Sequence, residues 1–184
     1  MGLTLISTHT PSGSPAAIEI TSGITASYRA YEFHCHMIHP SSLHHFSFQV
    51  DTGTNTNYNQ PIQSGRFEAR HNEGDSATGI SYNASFDQHR GASPPVFQAL
   101  ADYVGGGTSV ENEAATCGIL ILYDPAAAFP THFTARFANA YQEDYFFDHH
   151  TSGYIDTTTA ITRIKFMMSS GNIDSGTIKM FGVS

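Results

Sequence analysis

The sequence predicts an all-β chain folded as a single-domain antiparallel β-sandwich of jelly-roll type, and three observations carry that expectation. Apolar residues recur at every second position in several runs, the period of a half-buried strand. Charged residues make up only 13% of the chain, too few for the i to i+4 ion pairs that support surface helices. Gly, Ser, Thr and Asn are plentiful and cluster between the apolar runs, where turns need them. At 184 residues the chain is long enough to bury one proper core. Residues 1–15 read as an N-terminal arm and loop, and residues 16–184 as the sandwich.

Residues 2–7 form a short apolar strand or arm, ended by a Pro-, Gly- and Ser-rich loop at 8–15. A second strand is expected over 16–21 and a third over 28–38, where Tyr31, Phe33, Cys35 and Met37 alternate with Glu32, His34 and His36 before Pro40 stops it. The cleanest strand covers 44–51, with Phe46, Phe48 and Val50 on one face and Ser47, Gln49 and Asp51 on the other. After a Thr- and Asn-rich loop at 52–60, strands are expected over 65–71 and 79–86. Residues 94–104 read as the one short helix, near 95–104, with prolines at its start and Gly105, Gly106 and Gly107 beyond its end. The apolar run 116–123 suits a strand buried on both faces, and shorter strands are expected over 132–138 and 144–147. The chain closes on a β-hairpin: Ile164, Phe166 and Met168 share one face of the first arm, and residues 176–183 form the second. Between them lies a turn in which Ile173 stands alone as a core plug.

The formal net charge of −8, with eight Lys and Arg that never cluster, argues against nucleic acid as a partner. No apolar run approaches the length of a membrane span, and no basic segment followed by an apolar core opens the chain, so folding in a cytoplasm is expected. Cys35 and Cys117 are too few for a disulfide scaffold and read as buried free thiols.

Eleven histidines raise the question of a metal site. His34 and His36 share a strand face and could hold one ion in the manner of a cupin-like metalloenzyme. No Glu follows the pair through His39, His44 and His45, so the plainer reading is the polar face of a strand. The pairs His44–His45 and His149–His150 point to opposite faces if they lie on strands. Glu143, Asp144 and Asp148 could join His149 in a cation or hydrolytic site, although acidic residues near a turn are ordinary solvated surface. No catalytic residues and no cofactor are expected. Tyr58, Tyr82, Tyr141 and Tyr145, in polar surroundings, could stack on sugar rings or pack at subunit contacts.

The segment 153–166, and then Ser169-Ser170-Gly171-Asn172-Ile173-Asp174-Ser175-Gly176-Thr177-Ile178-Lys179-Met180-Phe181-Gly182, resembles the C-terminal signature of virion proteins of tailed bacteriophages, common in marine and cyanobacterial phages. Weaker likeness extends back to about Tyr28 through Tyr31-Glu32-Phe33, the strand at 46–49 and His132-Phe133. Phe181 stands where Tyr is frequent in that group. The resemblance implies a non-enzymatic β-sandwich subunit located on the virion, a capsid decoration, head-fibre or tail-attached knob. As a homotrimer it would contact capsid or tail proteins. The alternative expectation is a carbohydrate-binding module of the phage tail that recognises a host surface glycan.

Overall fold

The computed structural model describes residues 2–92, 96–105, 115–141 and 145–184. Among them twelve strands form two antiparallel sheets facing one another. The strands are β1 (Leu3–His9), β2 (Ala17–Ile20), β3 (Ala30–Pro40), β4 (His44–Thr52), β5 (Ile62–Asn72) and β6 (Thr78–Tyr82), then β7 (Gln98–Val104), β8 (Thr116–Tyr123), β9 (Thr131–Tyr141), β10 (Tyr145–Ile155), β11 (Ile161–Met168) and β12 (Ile173–Val183). The large sheet runs β1-β12-β3-β8-β9-β10-β5-β6, and the small one β2-β11-β4-β7. The chain passes repeatedly from one layer to the other, as in a jelly roll, with β8, β9 and β10 a continuous meander in the large sheet.

The alternation read from the sequence builds the core. Phe46, Phe48 and Val50 of β4 point inward with Phe166 of β11, and from the large sheet they meet Phe33, Phe133 and Phe137. Phe46 stacks on Phe166 at 5.8 Å, and Phe48 meets Phe133 edge-on at 5.2 Å. Gln49 and Asp51, on the other face of β4, are also buried, because the loop after β4 folds over them. The Asp51 carboxylate accepts from the backbone N–H of Thr52 and Tyr58 and from the Gln60 amide, at 2.8 to 3.0 Å.

Three expectations need correction. The helix near 95–104 is strand β7 over its described part, since Gln98–Val104 pairs with β4. Gln98 pairs with the inward Phe48 and Ala101 with the inward Phe46, across a register shift, and Leu100, Ala101 and Val104 join the core, so pairing with β4 overrides the helical propensity of Ala and Leu. Pro94, Pro95, Gly106 and Gly107, which suggested that helix's ends, lie outside the described residues. The only helix described is a 3-10 turn at Ala84–Phe86, within a segment expected to be strand. The closing hairpin, finally, is not a hairpin. β11 pairs with β2 and β4 in the small sheet, and β12 with β1 and β3 in the large one. Residues 169–172 carry the chain across the sandwich, so the apolar faces of the two arms look at each other through the core. Ile173 is fully buried at the landing point.

Two glycines fix that crossing. Gly171 turns at a φ of 75°, over the hydroxyls of Ser41 and Ser42. Gly176 has a φ of 117° inside a bulge where β12 passes β3, and a Cβ there would stand 2.6 Å from the Met37 carbonyl oxygen. Residues 3–9, read above as part of an arm, run along β12 as an edge strand of the large sheet.

Candidate functional site: a buried charge cluster beneath an aromatic cleft

The large sheet extends past the small one at its β5–β6 end. There the inward positions carry charge instead of hydrocarbon. β5 turns Arg66 and Glu68 inward and sends Phe67 out to solvent, the reverse of what a hydrophobic pattern suggests. β10 adds His149, β9 adds Asn139 and β7 adds Asp102, all buried.

These groups satisfy one another. Arg66 Nη2 donates to Asp102 Oδ1 at 2.7 Å, to Glu68 Oε2 at 3.2 Å and to His149 Nδ1. His149 Nε2 lies 2.8 Å from Asn139 Oδ1 and 3.1 Å from Asp102 Oδ1, so the tautomer that fits carries its proton on Nε2. Asn139 Nδ2 donates to the Asp102 backbone carbonyl at 3.1 Å, and Asn83 Nδ2 to Glu68 Oε2 at 3.2 Å. The guanidinium of Arg66 lies over the Phe86 ring, 4.5 Å from its centroid, a cation–π contact, and its Nε and Nη1 have no hydrogen-bond partner among the described residues. Asp102 Oδ2 is likewise without one.

Burial pushes the His149 imidazole below its ordinary value and keeps it neutral. Glu68 is held below the usual carboxylate value, against the opposing effect of burial, by the Asn83 amide and the charge of Arg66, since the Nδ1 that His149 turns toward it carries no proton to donate. His149 Nδ1 approaches Glu68 Oε2 only to 3.6 Å, which is a close approach and not a full hydrogen bond. The cluster therefore holds two carboxylates, one guanidinium and a neutral imidazole.

Glu68, Asp102 and His149 place three potential ligand atoms within 4.8 Å of one another, the only such group among the described residues. Arg66 Nη2 already sits among them and acts as their cation, so the set fits an internal ion-pair network better than a divalent ion.

Glu68 also opens onto a cleft of about 290 Å³, lined by Arg70, Asn83, Tyr103, Tyr141, Tyr145 and Phe147. Phe147 stacks on His149 at 5.5 Å, joining cleft wall to buried cluster. Tyr103, with a φ of 51° that is rare for an aromatic residue, stacks on Phe147 and lies 5.1 Å from Tyr141.

The residues singled out in the sequence are scattered by comparison. His34 lies on the outer face of β3, with Nε2 2.7 Å from Glu32 Oε2 and its ring against Phe181 at 4.7 Å. The His36 ring lies 6.3 Å from it. No third metal-type ligand joins the two among the described residues. His149 and His150 do point to opposite faces, His150 stacking on Phe67 outside. Asp148 also faces outward and pairs with Arg136, while Glu143 and Asp144 lie outside the described residues. Tyr58 is not a stacking surface: it is buried, with its hydroxyl donating to Glu19. Tyr82 is exposed on the outer face of β6, and Tyr141 and Tyr145 enter the cleft together. Cys35 is a buried free thiol, whereas Cys117, expected to be buried, is exposed on the outer face of β8 beside Met37. A meander strand with one open face puts every second residue in solvent, and residue 117 falls on that side.

Arg66, Glu68, Asp102, Asn139 and Tyr103 were not singled out from the sequence. The available signal was the alternation Arg66, Glu68, Arg70 within one strand, which reads as a solvated face unless the partner charges on β7 and β10 are known.

Among the described residues no helix is long and apolar enough to cross a membrane. A scan against protein-family models finds no match for this chain, and a search of curated proteins finds none either.

Proposed function

We propose that the chain is a non-enzymatic structural subunit of a tailed-bacteriophage virion, a capsid decoration, head-fibre or tail-attached knob that works as a homotrimer. The observation that carries the reading is the outer face of the large sheet. Leu5 of β1, Ile119 and Tyr123 of β8, Phe146 of β10, Phe67 of β5 and Ile80 of β6 stand exposed across its whole width, Ile80 at 79%. Eight strands spaced about 4.8 Å apart give a face roughly 34 Å wide. Its area is on the order of 1,000 Å², comparable with the roughly 800 Å² per partner of a standard interface. These apolar side chains stand among the Arg136–Asp148 and Glu32–His34 pairs of the same face, the mixed apolar and polar make-up of a contact surface.

Two further features support the reading. The residues that resemble the phage signature serve the crossing between sheets, with Gly171, Ile173 and Gly176 all set by packing, so in this chain they act as scaffold. The buried cluster of ionisable groups around Arg66 is internally paired, which suits a structural role better than proton transfer to a substrate. Quantitative mass spectrometry of gradient-purified virions of the phage that encodes this chain tests the proposal. The expected result is the chain at a copy number divisible by three, and its absence from the particle overturns the reading.

A further inference from the structure

We propose that the cleft at the β5–β6 end of the sandwich binds a saccharide, one or two pyranose rings, and favours a sugar acid. The rings of Tyr103, Tyr141, Phe147 and Tyr145 follow one another with centroids 5.1 to 6.3 Å apart; Phe147 is buried between Tyr103 and His149, so the three tyrosines supply the part of this aromatic row that is open to a ligand. Lining the same cleft are a carboxylate, an amide and a guanidinium, from Glu68, Asn83 and Arg70. A ligand that fits both sides needs an apolar face and a polar edge on one rigid ring. A pyranose has that shape: its C–H face lies on aromatic rings, and its hydroxyls take bonds from the carboxylate and the amide. A purely apolar ligand would cover the exposed Arg70 guanidinium without offering it a hydrogen-bond acceptor.

The polar side also has the spacing of one ring. Glu68 and Arg70 are two residues apart on one strand face, so their Cα atoms lie about 6.6 Å apart. Glu68 is buried and tied to Asn83 and Arg66, and so presents a fixed acceptor. Arg70 is exposed and has no carboxylate partner among the described residues. Its planar fork matches the carboxylate of a uronic acid. The volume of about 290 Å³ lies just under the lower end of ligand pockets, about 300 Å³, and suits a short saccharide. Arg70 disfavours a quaternary ammonium ligand, and a single arginine in a chain of net charge −8 disfavours a nucleotide's phosphates.

Titration calorimetry and saturation-transfer NMR on the full chain, with digalacturonate, lactose and AMP as probes, test this. The expected result is saturable binding of digalacturonate, weaker binding of lactose and none of AMP. Tyr145→Ala should weaken digalacturonate at least tenfold. Tyr145→Phe should keep most of the affinity, and Arg70→Gln should bring digalacturonate down to the lactose level. Phe129→Ala, an exposed residue in the loop between β8 and β9 and remote from the cleft, should change nothing. No saturable sugar binding overturns the proposal, as does preference for AMP. Unchanged affinity in Tyr145→Ala also overturns it, and if that variant does not fold, unchanged acid preference in Arg70→Gln does so.

Discussion

Arg66 is the side chain on which the largest local free energy depends. It is 1% exposed and donates to two buried carboxylates. Breaking a buried ion pair by removing one partner costs about 3–5 kcal/mol, because the remaining charge is left uncompensated. Arg66→Met should therefore lower the unfolding free energy in urea by about that amount, whereas Arg136→Met, in a solvent-screened pair with Asp148, should leave it nearly unchanged. The cluster also sets a pH dependence. His149 has a folded pKa below 6.5 and Glu68 one below 4.5, so in each case the unfolded chain binds protons more readily. The stability that each contributes is fully present above its unfolded value and is lost as the pH falls through the folded value. The melting temperature should fall from pH 7 to pH 5 through the histidines and further below pH 4.5 through Glu68. His149→Gln should flatten the first part of that profile; an unchanged profile in the variant would assign the titration elsewhere, to His45 or His9, whose values burial also lowers.

At the scale of the element, the crossing from β11 to β12 combines two demands, a left-handed backbone at Gly176 and no room for a Cβ. Gly176→Ala should cost more than the roughly 1 kcal/mol of a left-handed alanine alone, since Met37 and Ile38 must also move. Gly13→Ala, with a φ of 70° but nothing within 4 Å of the new Cβ, isolates the backbone share. Ile173→Ala should cost about 2–5 kcal/mol, as for a fully buried aliphatic residue. Both comparisons can be read from urea midpoints. The sequence shows the apolar faces of these two arms and the turn between them, but not whether the arms pair or cross. A pairing hairpin and a crossing turn use the same Gly, Asn and Ser, and only the choice of neighbours, β2 and β4 against β1 and β3, separates them. β7 was illegible for a related reason. Its Ala and Leu favour helix locally, while its place beside β4 is a long-range fact.

The whole molecule was legible as a class and hidden in its site. Period-two alternation at Phe46, Phe48 and Val50 leads directly to a two-sheet sandwich, since such a face must be covered by another. The charge cluster draws on β5, β7, β9 and β10, and each member taken alone reads as a side chain in contact with water. Tyr141 and Tyr145 carried a visible hint, but Tyr103 joins them only because its backbone takes an unusual φ. The outer face of the large sheet is likewise a property of the assembled sheet, for Leu5, Ile119 and Phe67 are far apart in the chain. That face is the centre of the account: it is read as a contact between copies. The measurement that tests this most directly is the solution mass of the purified chain by light scattering, alongside the variants Phe67→Glu and Ile119→Lys. The expected mass is three times 20.0 kDa for the parent chain and 20.0 kDa for the variants, with unchanged circular dichroism. A parent chain at 20.0 kDa, or a trimer that survives both substitutions, contradicts it.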